Sequence, residues 1–236
     1  MRRALLVWAI LTACLLAASA SSMPLPGVVL GRSVEGRAIR AVEIGDPASR
    51  RMALVVGCIH GNECAGLAIV RRLERLGPQA GVDLWLMPEA NPDGTALNQR
   101  QNARGVDLNR NFPWGWQPLP RATYYSGPRP ASEPETQVAL RFLRRLHPTV
   151  TIWFHQHMRL VDASGGDISI ERRFAHLVGL PLVRLGPYPG TVTSWENHHL
   201  PGTTAFVVEL PAGRLSAAQA DRYARAVRDV VGGTAS

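Results

Sequence analysis

Two rhythms of apolar residues run along this chain. Met52 to Cys58 is an unbroken apolar run of strand length, the pattern of a strand covered on both faces. Val82 to Met87 and the β-branched and aromatic run Thr149 to Phe154 read the same way. Arg37 to Ile44 and Phe206 to Leu210 complete the expected strands. The second rhythm is helical. Between Cys64 and Leu76 the apolar residues Leu67, Ile69, Val70, Leu73 and Leu76 are spaced for one face, with arginines between them. Glu135 to Leu146 repeats the pattern, with Ser132 as its expected N-cap and Glu135 three residues on. Glu171 to Val178 and Ser216 to Val231 are the remaining expected helices. Asn91 to Phe112 is rich in Asn, Gly and Asp and predicts a loop. Pro113 to Pro134 holds six prolines and predicts an irregular surface excursion. Strands alternating with helices imply an α/β sandwich around a mostly parallel sheet.

In such sheets the working site lies off the carboxyl ends of the central strands. The polar residues at those ends are therefore the candidates. His60-Gly61-Asn62-Glu63 directly follows the apolar run, where a strand ends and a helix begins. It places an imidazole and a carboxylate three residues apart, and zinc accepts both ligand types. Asn91-Pro92-Asp93-Gly94 follows the second strand, and His155 and His157 follow the third. These two histidines have the same parity on an extended segment, so either can supply a third ligand. Glu209 is an acid among Phe206, Val207, Val208, Leu210 and Pro211. A carboxylate buried there needs a partner.

Composition changes this picture in three places. Arg2-Arg3, the apolar stretch Ala4 to Ala17 and the small residues Ala18-Ser19-Ala20 read as a signal peptide over residues 1–20. The stretch is shorter than the ~20 apolar residues of a membrane span. Residues 21–236 then form one catalytic domain, with Ser21 to Gly27 as its leader, exported to the periplasm or the extracellular space. Leu11-Thr12-Ala13-Cys14 resembles a lipobox, so lipid anchoring through Cys14 is a second reading. Losing Arg2 and Arg3 takes the net charge from +8 to +6, and every basic residue is an arginine. The arginines are scattered without aromatic interleaving, which predicts no nucleic-acid partner. Cys58 and Cys64 flank the His60 turn, and the sequence leaves open whether they are a disulfide or two buried thiols.

Taken together, His60-x-x-Glu63, Asn91-Pro92-Asp93-Gly94, the stretch Arg100 to Pro113 and the strand bearing Glu209 resemble the zinc carboxypeptidases of the M14 metallopeptidase family. The small bacterial branch of murein peptide amidases is the nearest likeness. The run Gly105-Val106-Asp107-Leu108-Asn109-Arg110-Asn111-Phe112-Pro113 is the most specific of these signals. The resemblance implies a three-layer α/β sandwich with a mixed, mostly parallel eight-stranded sheet. It implies Zn2+ held by His60, Glu63 and His155, with Asp107 accepting a hydrogen bond from a ligand imidazole. It further implies Glu209 as general base and Arg100, with Arg104 as the alternative, as the group facing the carbonyl oxygen. Asn109 and Arg110 would bind the substrate's terminal carboxylate, and Tyr188 would be the tyrosine of the family's mobile loop. His147, His176, His198 and His199 are expected at the surface or in structural roles.

The reading that follows is an exported zinc-dependent hydrolase of carboxypeptidase type, acting on a peptide or murein peptide at an amide next to a free carboxylate. A deacylase of small N-acyl amino acids is the rival enzyme reading. A cell-wall binding module without activity is the rival from another class, and it fits poorly with a chain that keeps His60, Glu63, His155, Arg110 and Glu209.

Overall fold

The computed structural model describes residues 27–233. The expected export segment 1–20 with Cys14, and the expected leader as far as Pro26, lie outside the described residues. The strands are β1 (Val28–Arg32), β2 (Ala38–Glu43), β3 (Met52–Val56), β4 (Asp83–Met87), β5 (Val150–Gln156), β6 (Leu160–Asp162), β7 (Leu182–Val183) and β8 (Thr204–Leu210). The α-helices are α1 (Gly66–Leu76), α2 (Pro92–Leu97), α3 (Pro134–Leu146), α4 (Ile168–Val178), α5 (Val192–His199) and α6 (Ala217–Gly232), with a 3-10 turn at Leu108–Arg110.

All eight strands form one mixed sheet in the order β1-β2-β4-β3-β5-β8-β6-β7. The four central strands β4, β3, β5 and β8 are parallel, and β2 and β6 flank them antiparallel. Side chains alternate across each strand, so one run of apolar residues feeds two cores. Val55, Phe154 and Val208 face a core closed by Ile69 and Leu73 of α1, Phe174 of α4 and Val227 of α6. Leu54, Trp153 and Val207 face the opposite core, closed by Val138 and Phe142 of α3 and Trp195 of α5. This is the expected three-layer sandwich. Each fully buried large apolar side chain contributes roughly 1.5–3 kcal/mol to it.

The structure corrects the local expectations at several points. The segment Asn91 to Phe112 is not all loop. Asn91 caps α2 by accepting from the Gly94 backbone N–H, and Asp107 caps the 3-10 turn by accepting from the Asn109 N–H. Ser132 does not cap α3. The N-cap position is Glu133, with Pro134 at the first helical residue, and the Ser132 hydroxyl donates to the Glu133 carboxylate instead. Proline's fixed φ suits the first helical position and its missing N–H costs nothing there, so the helix starts at Pro134, one residue too late for Ser132 to cap it. His155 does not follow its strand but lies within β5. β1, β6, β7 and α5 have no counterpart among the sequence expectations.

Candidate active site

The turn after β3 carries His60 and Glu63, and its backbone presses on α2. A Cβ at Gly61 would lie 1.9 Å from the Gly94 carbonyl carbon, so only glycine permits this approach. Cys58 and Cys64 are joined by a disulfide with their Cα atoms 4.8 Å apart, which closes the turn around both polar residues. Constraining so short a loop is worth on the order of 2 kcal/mol against the unfolded chain.

His155 enters the same space from β5. It has the parity of Trp153, so its ring points to the α3/α5 side of the sheet. His60 Nδ1 lies 2.9 Å from Glu63 Oε2, and His155 Nδ1 lies 3.1 Å from both of those atoms. These three side chains are the one group of metal-ligand type found among the described residues. The donor set of two imidazoles and a carboxylate suits zinc with one position left for water or substrate. His155 Nε2 is buried without a hydrogen-bond partner among the described residues, so Nδ1 is the nitrogen that faces the cluster. His157 lies outside this group and is exposed.

On the far side of His60, Nε2 meets Asp107 Oδ1 at 2.9 Å. That bond fixes the tautomer and leaves Nδ1 for a metal. Burial opposes ionisation of Asp107, yet the neighbouring His60 and the Arg100 and Arg110 guanidiniums hold its carboxyl well below the usual range. Glu63 is likewise held below its ordinary value: burial works against the charge, and the His155 and His60 hydrogen bonds outweigh it. Burial pushes the His155 imidazole down, which favours the neutral, metal-binding form.

Arg100 donates from Nε to Asp107 Oδ2 at 2.9 Å and from Nη1 to Glu63 Oε1 at 2.7 Å. It stands beside the metal-ligand group. Arg104 does not: its Nη1 lies 3.7 Å from Glu133, away from the cavity. Asn109 is held by its Oδ1, which accepts from the Val192 N–H at 3.0 Å, at the start of α5. Arg110 is only 8% exposed, and the one side-chain hydrogen bond its guanidinium makes among the described residues runs from Nη1 to the Asn109 carbonyl. No carboxylate pairs with it among the described residues. A buried guanidinium of this kind has the chemistry to receive an anion. Tyr188 stands over it, with Cζ 4.8 Å from the ring centroid. The loop carrying Tyr188 is packed tightly, since a Cβ at Gly190 would fall 2.3 Å from the Arg110 carbonyl oxygen.

Glu209 is the β8 register partner of His155 and has the same parity, so its carboxylate faces the same cavity. It is 9% exposed, and Oε2 accepts from the Met158 N–H at 3.4 Å. One cavity of about 880 Å³ is lined by His60, Glu63, His155, Arg100, Arg110 and Glu209 together. Asn109 and Tyr188 also line it, so eight of the nine expected site residues share this wall or rim, and Asp107 stands behind it against His60 and Arg100. His147, His176, His198 and His199 do not.

The model of the M14 family, described as zinc carboxypeptidase, matches residues 19–76 and 79–168. The chain belongs to the zinc carboxypeptidase family. Glu209 and Tyr188 lie beyond the matched residues. Murein peptide amidase A of Escherichia coli strain K12 is 30% identical over 164 residues, which are 63% of this chain and 67% of that protein. Murein peptide amidase A of Vibrio campbellii is 27% identical over 179 residues, covering 69% and 71% of the two chains. The crystal structure of murein-tripeptide amidase from Escherichia coli O157 superposes with a TM-score of 0.73 at 24% identity, over 92% of this chain and 95% of that one. Carboxypeptidase A from Helicoverpa armigera gives 0.75 at 18% identity, over 88% and 67%. The fold is therefore that of the carboxypeptidases, and zinc is the family's metal.

Tyr124, Thr191 and Gln156 also line the cavity. None of the three stands out in the sequence pattern.

Proposed function

We propose that this carboxypeptidase-like hydrolase cleaves cell-wall peptides at an amide next to a free carboxylate, and that it does so outside the cytoplasm. The observation that carries the reading is the separation of charges in one cavity. A buried guanidinium without an ionic partner among the described residues, Arg110, shares its walls with Glu209 and the His60, Glu63 and His155 group. A substrate with its carboxylate on Arg110 and Asn109 lays its adjacent amide toward Glu209. The similarity to murein peptide amidases supports a murein peptide as the substrate. The basic N-terminal segment with its apolar run and the Cys58–Cys64 disulfide support export.

His60, Glu63 and His155 would hold zinc, which would supply Lewis acidity at this end of the cavity. The chain's own groups do the rest. Glu209 accepts the proton of the attacking water and hands it to the departing amine. Arg100, fixed by Asp107 and Glu63, stands where charge develops on the carbonyl oxygen. Arg110 and Asn109 hold the carboxylate, and Tyr188 covers that end of the cavity.

The test is incubation of the zinc-loaded protein with murein tripeptide and with ordinary C-terminal peptides. Cleavage of the tripeptide is expected, and Glu209→Gln should keep its zinc while turnover falls by roughly 10²–10⁴-fold. Cleavage of ordinary peptides alone would remove the murein reading, and near-normal turnover of Glu209→Gln would move the base elsewhere.

A further inference from the structure

Tyr124 lies on the proline-rich excursion between Pro113 and Pro134, where nothing in the sequence pattern points to the site. Its ring is 54% exposed, yet its centroid lies 5.1 Å from the Arg100 guanidinium carbon and 5.5 Å from that of Arg110. One ring thus serves two cations. Tyr188 serves Arg110 alone.

The position of Tyr124 is fixed from both sides. The Thr123 carbonyl accepts from Gln101 Nε2 at 2.8 Å, and the Tyr125 carbonyl accepts from the Asp107 N–H at 2.8 Å. Both peptide neighbours of Tyr124 are therefore tied to the segment that follows Arg100 and precedes Arg110. Ser126 is fully buried one step further on. Its hydroxyl accepts from the Leu119 N–H and donates to the Gln117 carbonyl, each at 2.9 Å, and its carbonyl accepts from Asn111 Nδ2 at 2.8 Å. An exposed tyrosine on a loose loop has no such tethers.

Two guanidiniums in one cavity repel each other, and Arg100 is among the groups that weaken the protonated form of Arg110. An aromatic face is the negative pole of the ring and attracts a cation. A guanidinium donates its hydrogen bonds in its own plane, so a ring against its face uses up no donor. Tyr124 offsets the repulsion through the guanidinium faces and takes none of the donors that the bonds to Asp107, Glu63 and the Asn109 carbonyl leave for substrate.

We propose that Tyr124 is a positioning residue, a ring shared by Arg100 and Arg110 that fixes the spacing between the carbonyl-oxygen end and the carboxylate end of the bound substrate. It thereby contributes to the preference for an amide beside a free carboxylate. This rests on the reading of Arg110 as the carboxylate receptor. Tyr124→Phe keeps the ring, and Tyr124→Leu keeps an apolar side chain without a π face.

The experiment measures kcat and KM of the zinc-loaded wild type and both variants, on murein tripeptide and on the same peptide amidated at the carboxylate next to the cleaved bond. Tyr124→Phe should stay within about twofold of wild type, and Tyr124→Leu should raise KM on the free acid ~3- to 30-fold. On the amidated peptide the KM of Tyr124→Leu should match wild type, because the contact it supports is already absent. The melting temperatures of the two variants should agree, since the side chain is half exposed. An unaltered KM in Tyr124→Leu, beside a wild type that prefers the free acid, overturns the role of Tyr124 alone. So does a Phe variant as impaired as the Leu variant, which would assign the effect to the hydroxyl. A wild type indifferent to amidation overturns the carboxylate reading itself, and this proposal with it.

Discussion

His60 and Glu63 come from one turn, and His155 joins them from a strand 92 residues beyond Glu63. Three ligand-type atoms within about 3 Å of one another are costly to gather, because each gives up water and side-chain freedom. A metal turns that cost into affinity, so removing one ligand should be felt at once. His155→Ala is expected to reduce bound zinc from about one per chain to a small fraction at equal free metal, whereas His157→Ala keeps it. Metal analysis after dialysis reads both, and retention in the first variant with loss in the second would reverse the ligand assignment. At this scale the sequence was informative where a residue type was out of place. Glu209 among five apolar or proline neighbours announced itself, and so did His60 at the end of an apolar run. Tyr124 did not, because its importance lies in two arginines and a set of tethers brought together only by the folded excursion.

Among the elements, α5 does more than close a core. Its first residues hold Asn109 through the Val192 N–H, and its interior carries Glu196 fully buried against β5. Glu196 Oε1 accepts from Trp153 Nε1 at 2.7 Å, while Oε2 has no partner among the described residues. Burial pushes the Glu196 carboxyl up to about 8. A carboxyl raised in the folded state keeps its proton while the unfolded chain loses its own near 4.5. Unfolding then releases a proton, so stability falls as pH rises through the window from about 4.5 to about 8. Glu196→Gln keeps an acceptor for Trp153 and removes the titration. Its melting temperature should fall less than that of wild type between about pH 5 and pH 8. Equal slopes in the two proteins would mean that Glu196 is already ionised in the fold. The elements legible in the sequence are those with an apolar run or a clear period, β2, β3, β4, β5 and β8 among the strands and α1, α3, α4 and α6 among the helices. Those missed are two or three residues long, as β6 and β7 are, polar-rich, as α2 and α5 are, or, like β1, a half-exposed edge strand interrupted by a glycine. The expected Ser132 cap failed for a specific reason: the helix begins one residue later than such a cap requires, at Pro134, so Glu133 takes the cap position and the serine donates to its carboxylate.

For the molecule as a whole, four parallel strands deliver their carboxyl ends to one side, and the site assembles there from β5, β8 and the segments that follow β3 and β4, with Tyr188 from the segment after β7. The alternation of strands and helices made that architecture legible, since a right-handed crossover between parallel strands leaves few arrangements. The loops that shape the cavity were not legible, because prolines and glycines report turns without saying where the turns lead. The central claim is that the two ends of one cavity do different work: Arg110 reads a free carboxylate, and the metal-ligand group with Glu209 faces the neighbouring amide. The most direct measurement is kcat/KM for a free-acid substrate and its terminal amide, in wild type and in Arg110→Ala. Loss of a charge-assisted contact costs on the order of 2–4 kcal/mol, so amidation should lower the wild-type value ~30- to 1000-fold, and Arg110→Ala should lower the free-acid value by a similar factor. Amidation should cost the variant little more, because the partner is already gone. Equal cleavage of both substrates by the wild type would contradict the account and point to an endopeptidase.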